Sequence, residues 1–156
     1  IEVLGFLDGT TSLDWLVNAG CKTMNLLAKG PVNHLKNQLR KTHAPHIVEI
    51  KQLLTEADKR GLAVNIYLED WANGMLHSPA YVYLLPDSLK DTSIKRFMLP
   101  DTLGILNPFQ VYEFIKSITS SYPGLHFDFH AHNDYDLASA NVMAAVKAGV
   151  KAYIPP

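Results

Sequence analysis

The stretch LHFDFHAHNDYDLASANVMAAVKAGVKAYI, residues 125–154, decides the fold class. Residues 125–130 have the pattern of a short strand, residues 134–148 carry apolar side chains at helical spacing, and residues 150–154 return to a strand. Gly149 marks the exit of the helix. A strand, a crossing helix and a second strand place the two strands parallel in one sheet, with the helix packed on its face.

The same unit repeats towards the N-terminus. IEVLGF (1–6), KTMNLL (22–27), LAVNIYL (62–68) and IKRFML (94–99) join the two strands above to make six, separated by five helical stretches. In HIVEIKQLLTEADKRG (46–61), Ile47, Ile50, Leu53, Leu54 and Ala57 fall on one helical face, and Gly61 ends the helix. The stretch 108–122 opens on Pro108, a residue the first helical turn tolerates. The expected class is α/β. No linker, charge block, low-complexity tract or close repeat breaks the rhythm, so residues 1–156 read as one domain. A length of 156 residues suits an average domain but falls short of the ~250 of a complete (β/α)8 barrel.

Composition narrows the function. Fourteen Lys and Arg against 15 Asp and Glu give a net charge of -1 and no basic field for nucleic acid. No apolar run reaches the ~18 residues of a membrane span. The lone Cys21 forms no intrachain disulfide, and IEVLGFLDGTTS lacks the features of a secretory signal, which fits a cytoplasmic setting. The chain does not start with Met, which points to a cut N-terminus.

The unusual polar residues collect at one end of the strands. YLEDW presents Tyr67, Glu69 and Asp70, LPDTLG presents Asp101 and Thr102, and HAHND presents His130, His132, Asn133 and Asp134. In parallel β/α folds the carboxyl ends of the strands are where ligands and reacting groups gather. No Gly-rich phosphate fingerprint follows any strand, which counts against a dinucleotide-binding open sheet and for a barrel.

His130-Ala131-His132 is the sharpest element. Side chains two apart on a strand point the same way, so both imidazoles reach one ion; a further ligand, expected to be a carboxylate, must come from elsewhere. The bland alternative is a pair of loop histidines without an ion. Glu69 ends an apolar strand on the same face as Tyr67, and is the best placed general acid or base; otherwise it is a surface carboxylate. Asp101 reads as a loop brace. Thr102 donates either to a substrate carboxylate or to a backbone carbonyl. Trp15, beside Leu13 and Leu16, and Trp71 read as core. His34, His43, His46 and His77 read as solvated, and Cys21, at a strand entrance, as structural.

LPDTLG followed by FHAHNDYDLASANVMAAVKAG resembles the signature blocks of the acyl-CoA condensing metalloenzymes with a TIM-barrel catalytic domain. That superfamily holds 2-isopropylmalate, citramalate and homocitrate synthases and the reverse-acting hydroxymethylglutaryl-CoA lyase. GFLDG, MNLLAKG and NIYLEDWANG extend the likeness over the chain, nearest to the citramalate/2-isopropylmalate synthase branch. The resemblance implies His130 and His132 as ligands of a divalent metal (Mg, Mn or Zn), Thr102 as a donor to the 2-keto acid carboxylate, and Glu69 in proton transfer. It places Leu4, Leu27 and Tyr67 around the keto-acid side chain, where they favour a small substituent such as the methyl of pyruvate. It implies acetyl-CoA as co-substrate and a homodimer.

Two departures accompany the likeness. The family's Arg-Asp pair on the first strand, which supplies a third metal ligand and an enolate-stabilising cation, has no counterpart here, and the chain stops at YIPP. The six strands therefore correspond to the third to eighth of the barrel, with the first two missing, and the segment alone is expected to be inactive. The competing readings are a lyase running the reaction backwards, an amidohydrolase-type hydrolase, and a non-catalytic truncated barrel.

Overall fold

The computed structural model describes residues 1–154; Pro155 and Pro156, the end of the domain read from the sequence, lie outside the described residues. Six strands, β1 (Glu2–Gly5), β2 (Thr23–Lys29), β3 (Ala63–Glu69), β4 (Phe97–Asp101), β5 (Phe127–Ala131) and β6 (Ala152–Ile154), form one sheet. They pair in parallel and in chain order, which is the topology of part of a β/α barrel. The α/β class and the six expected strands are present. The strand bounds shift by up to three residues, the largest change moving the fourth from 94–99 to Phe97–Asp101, so that Asp101 ends a strand.

Seven helices occupy the five connections: α1 (Thr11–Asn18), α2 (Val32–Asn37), α3 (His43–Lys59), α4 (Trp71–His77), α5 (Pro79–Leu89), α6 (Pro108–Ser121) and α7 (Ala138–Ala148). The expectation of five helical stretches is corrected at two connections. Arg40, in a left-handed conformation, lies between α2 and α3, and Ser78-Pro79 separates α4 from α5. Helix α3 starts at His43 rather than residue 46, and α7 starts at Ala138 rather than 134 because HND and the residues after it form a turn. Pro108 and Gly149 stand where expected, the latter at the end of α7.

Alternation along the strands separates two environments. Met24, Leu26, Ala28, Val64, Ile66, Leu68, Phe97, Leu99, Phe127 and Phe129 are buried beneath the helices and make up much of the core. The opposite face is the barrel interior. There Arg96 binds Asp128 at 2.9 Å and also pairs with Glu2, Asn65 Nδ2 donates to Asn25 Oδ1 at 2.7 Å, and His126 contacts Asp128 at 2.7 Å. This polar layer forms the floor below the rim.

Two residues read differently from the sequence. Trp15 is 64% exposed: Leu13 and Leu16, three apart, fix the buried face of α1 and turn Trp15 away from it. His46 is fully buried in the first turns of α3 and neither ring nitrogen has a partner among the described residues. Desolvation holds its pKa below the ordinary histidine value, so it packs as a neutral ring. Trp71 is core, as expected.

Candidate active site

The ends of β2, β3, β4 and β5 build one rim. The register aligns Leu27 with Tyr67 and Tyr67 with Met98, and one row further out it aligns Lys29 with Glu69 and Pro100 with His130. Pro100 has no N–H, and the β3–β4 ladder stops at Met98. Beyond it the Thr102 hydroxyl takes over, accepting from Asp70 N at 2.9 Å. That bond uses a lone pair of the hydroxyl and leaves its proton free to donate.

Asp101 is fully buried and braces the β4–α6 loop, as expected, accepting from Ile105 N and Leu106 N at 3.0 Å each. Desolvation raises its pKa, opposed by these two hydrogen bonds. Gly104 closes the loop at φ +58°, where an added Cβ would lie 2.9 Å from Asp134 N and 3.1 Å from His132 O. The LPDTLG loop therefore seats directly on HND. Buried Asn141 of α7 fastens the same contact, donating to Leu106 O at 2.8 Å. Replacing Gly104 with alanine adds the left-handed penalty of ~1–2 kcal/mol to a backbone clash. The denaturation midpoint is expected to fall; an unchanged midpoint would show that the two loops do not need this contact.

The rings of His130 and His132 lie 4.8 Å apart, tilted by 39°. Tyr67 reaches across β4, with its hydroxyl 2.5 Å from His130 Nδ1 and its ring edge-on at 5.9 Å. Burial and the neighbouring His132 lower the His130 pKa, while burial and Glu69 push the Tyr67 phenol up to about 12. At neutral pH both groups are uncharged. With Nδ1 engaged by Tyr67, the Nε2 of His130 is the nitrogen available to an ion. The chemistry of this pair fits two ligands of a divalent metal; among the described residues no three His, Cys, Asp or Glu side chains converge.

Glu69 forms an ion pair with Lys29, a residue that the sequence reading passed over. A cavity of about 450 Å³ opens beside them, lined by His34, Glu69, Asp70, Asn73, His77 and Thr102 among others. Two histidines expected to be solvated are engaged instead: His34 Nε2 lies 3.5 Å from Asp70 Oδ2, and His43 stacks on Tyr81 at 4.8 Å, whereas His77 is exposed, as expected, at the edge of the cavity. Asp70 is itself held by Asn73 Nδ2 at 2.9 Å. Leu27 sits beside Tyr67, while Leu4, half exposed on β1, aligns with Asn25, one row deeper. Of the sequence-derived residues, Glu69, Thr102, Tyr67, His130, His132 and Leu27 gather on the rim, and Leu4 stands below it at the open edge.

Residues 9–153 match the HMGL-like family. The chain belongs to the HMGL-like family. Its curated relatives include the homocitrate synthase of Sulfolobus acidocaldarius, 34% identical over 74% of this chain and 24% of that protein, and the homocitrate synthase of Frankia alni, 31% identical over 74% of this chain and 32% of that protein. The chain thus spans a third or less of the length of these relatives. The hydroxymethylglutaryl-CoA lyase of Pseudomonas aeruginosa shares the fold, with a TM-score of 0.81 at 17% identity over 96% of this chain and 51% of that one. For this HMGL-like chain, no described helix is long and apolar enough to cross a membrane.

Proposed function

We propose that the protein carrying this chain is a metal-dependent acyl-CoA condensing enzyme that joins acetyl-CoA to a small 2-keto acid, with residues 1–156 as part of its TIM-barrel catalytic domain. The observation that carries this reading is the convergence of His130, His132, Thr102 and Glu69 on one rim, with Tyr67 bound to His130. His130 and His132 would hold a divalent ion (Mg, Mn or Zn), its remaining ligands coming from outside these residues. When bound, that ion acts as a Lewis acid on the keto oxygen. Thr102 donates its free hydroxyl proton to the keto-acid carboxylate. Glu69 takes a proton from the acetyl methyl, and the resulting carbanion adds to the ketone carbon as the C=O electron pair moves to oxygen. That oxygen regains a proton from the protonated Glu69, directly or through water. Thioester hydrolysis then releases CoA and a 2-hydroxy dicarboxylate. The segment alone, with two ligands of the ion, turns over no substrate in this reading. A cytoplasmic homodimer serving branched-chain amino-acid synthesis is the corresponding setting.

The pocket side chains support a small keto acid of the citramalate or 2-isopropylmalate type. Leu27 and Tyr67 offer apolar surface at the rim, with Leu4 below them on β1. A keto acid with a second carboxylate, as a homocitrate-forming reaction requires, needs a cation there, and the nearby Arg96 is already held by Glu2 and Asp128. In the full-length protein, CoA release should be fastest with pyruvate, slower with 2-ketoisovalerate and slowest with 2-oxoglutarate. A preference for 2-ketoisovalerate would overturn the small pocket, and a preference for 2-oxoglutarate would overturn the apolar one. The reverse, lyase-type reaction is supported by the shared fold alone, and cleavage of hydroxymethylglutaryl-CoA without condensation would favour it.

A further inference from the structure

We propose that Lys29 is a positioning residue of the reaction, holding Glu69 by one carboxylate oxygen so that the other faces the acetyl group; this rests on the reading of Glu69 as the base. Lys29 is the last residue of β2 and stands in register with Glu69, the last residue of β3. The two ends are locked together. Gly30 N donates to Glu69 O at 2.8 Å, and an added Cβ at Gly30 would lie 2.8 Å from Trp71 Cα and 2.9 Å from Glu69 O. Because the backbones approach this closely, the side chains of Lys29 and Glu69 emerge side by side.

The Lys29 side chain is only 12% exposed, and its ammonium binds Glu69 Oε2. Among the described residues it has no other anionic partner, and Glu69 Oε1 accepts no hydrogen bond. An ammonium is costly to bury, and a flexible four-carbon stem is costly to order, unless a specific partner offsets both. The neighbours on its strand face, Leu27 and Asn25, make no charge there. The lysine therefore leaves Glu69 with one oxygen occupied and one open, beside the cavity that Thr102 also lines. In the reaction the acetyl C–H bond breaks and Oε1–H forms, the electron pair passing into the enolate. Lys29 transfers no proton and reaches the substrate only through Glu69.

The test uses the full-length protein with acetyl-CoA and pyruvate, comparing Lys29→Met, Lys29→Arg, Glu69→Gln and the double variant Lys29→Met/Glu69→Gln. Lys29→Met should lower kcat by ~10–100-fold, a fraction of the ~10²–10⁴ available to general-base catalysis, with little change in either KM. It should also enlarge the isotope effect measured with trideuterated acetyl-CoA, and Lys29→Arg should restore most of the rate. The double variant should be no slower than Glu69→Gln, because a residue that acts through Glu69 has nothing left to act on. It also carries no unpaired buried charge, so misfolding cannot mimic that result. Multiplicative losses in the double variant, a change in KM alone, or a normal isotope effect in Lys29→Met would overturn the role of Lys29. Wild-type turnover in Glu69→Gln would instead remove the base assignment, and the positioning role with it.

Discussion

Alanine at His130 or at His132 in the full-length protein is expected to abolish divalent-metal binding and condensation together. In the proposed site each imidazole is one of two ligands, their rings 4.8 Å apart, with no third His, Cys, Asp or Glu converging on them among the described residues. Removing either leaves one imidazole from this segment. Tyr67→Phe should have a graded effect. It deletes the hydroxyl on His130 Nδ1 and keeps the ring, and loss of such an outer partner typically costs ~10–100-fold in metal affinity. The alanine variants should lose more than that. Calorimetric titration with Mn2+ or Zn2+ after chelator treatment measures the affinities directly, apart from turnover. If His132→Ala binds the ion as tightly as the unaltered protein, the pair is not its ligand set.

The second large effect concerns Glu69. Glu69→Gln keeps the shape of the side chain and removes its ability to take a proton, so kcat should fall by ~10²–10⁴-fold, the usual worth of a positioned base. Metal affinity and the KM for the keto acid should stay close to their starting values, because Glu69 faces Lys29 rather than the two histidines. This combination separates proton transfer from substrate binding. A rise in KM with kcat preserved would recast Glu69 as a binding residue.

Most of the framework was legible in the sequence because it depends on local patterns. The short apolar runs, the helical spacing in α3, Pro108 and Gly149 each act within a few residues. The rim was legible as well, since parallel topology sends the last residues of every strand to the same end. What escaped the sequence depends on register. The neighbour of Lys29 is Glu69, 40 positions away, and that of Tyr67 is His130, 63 positions away; neither pairing leaves a local signal. His46 escaped because a lone histidine on an amphipathic helix carries no mark of burial. Trp15 misled because it stands beside Leu13 and Leu16 in the chain, whereas those two, three apart, set a buried face of α1 from which it points away.

The chain-order sheet has a kinetic consequence. Each strand from β2 to β6 pairs with the one synthesised just before it, so during translation every emerging strand meets a partner already in place. Closing contacts then span roughly one βα unit, which keeps the entropic cost of each step low and spares the nascent chain a long search. At each stage the newest sheet edge is open to wrong partners only until the next helix and strand leave the ribosome.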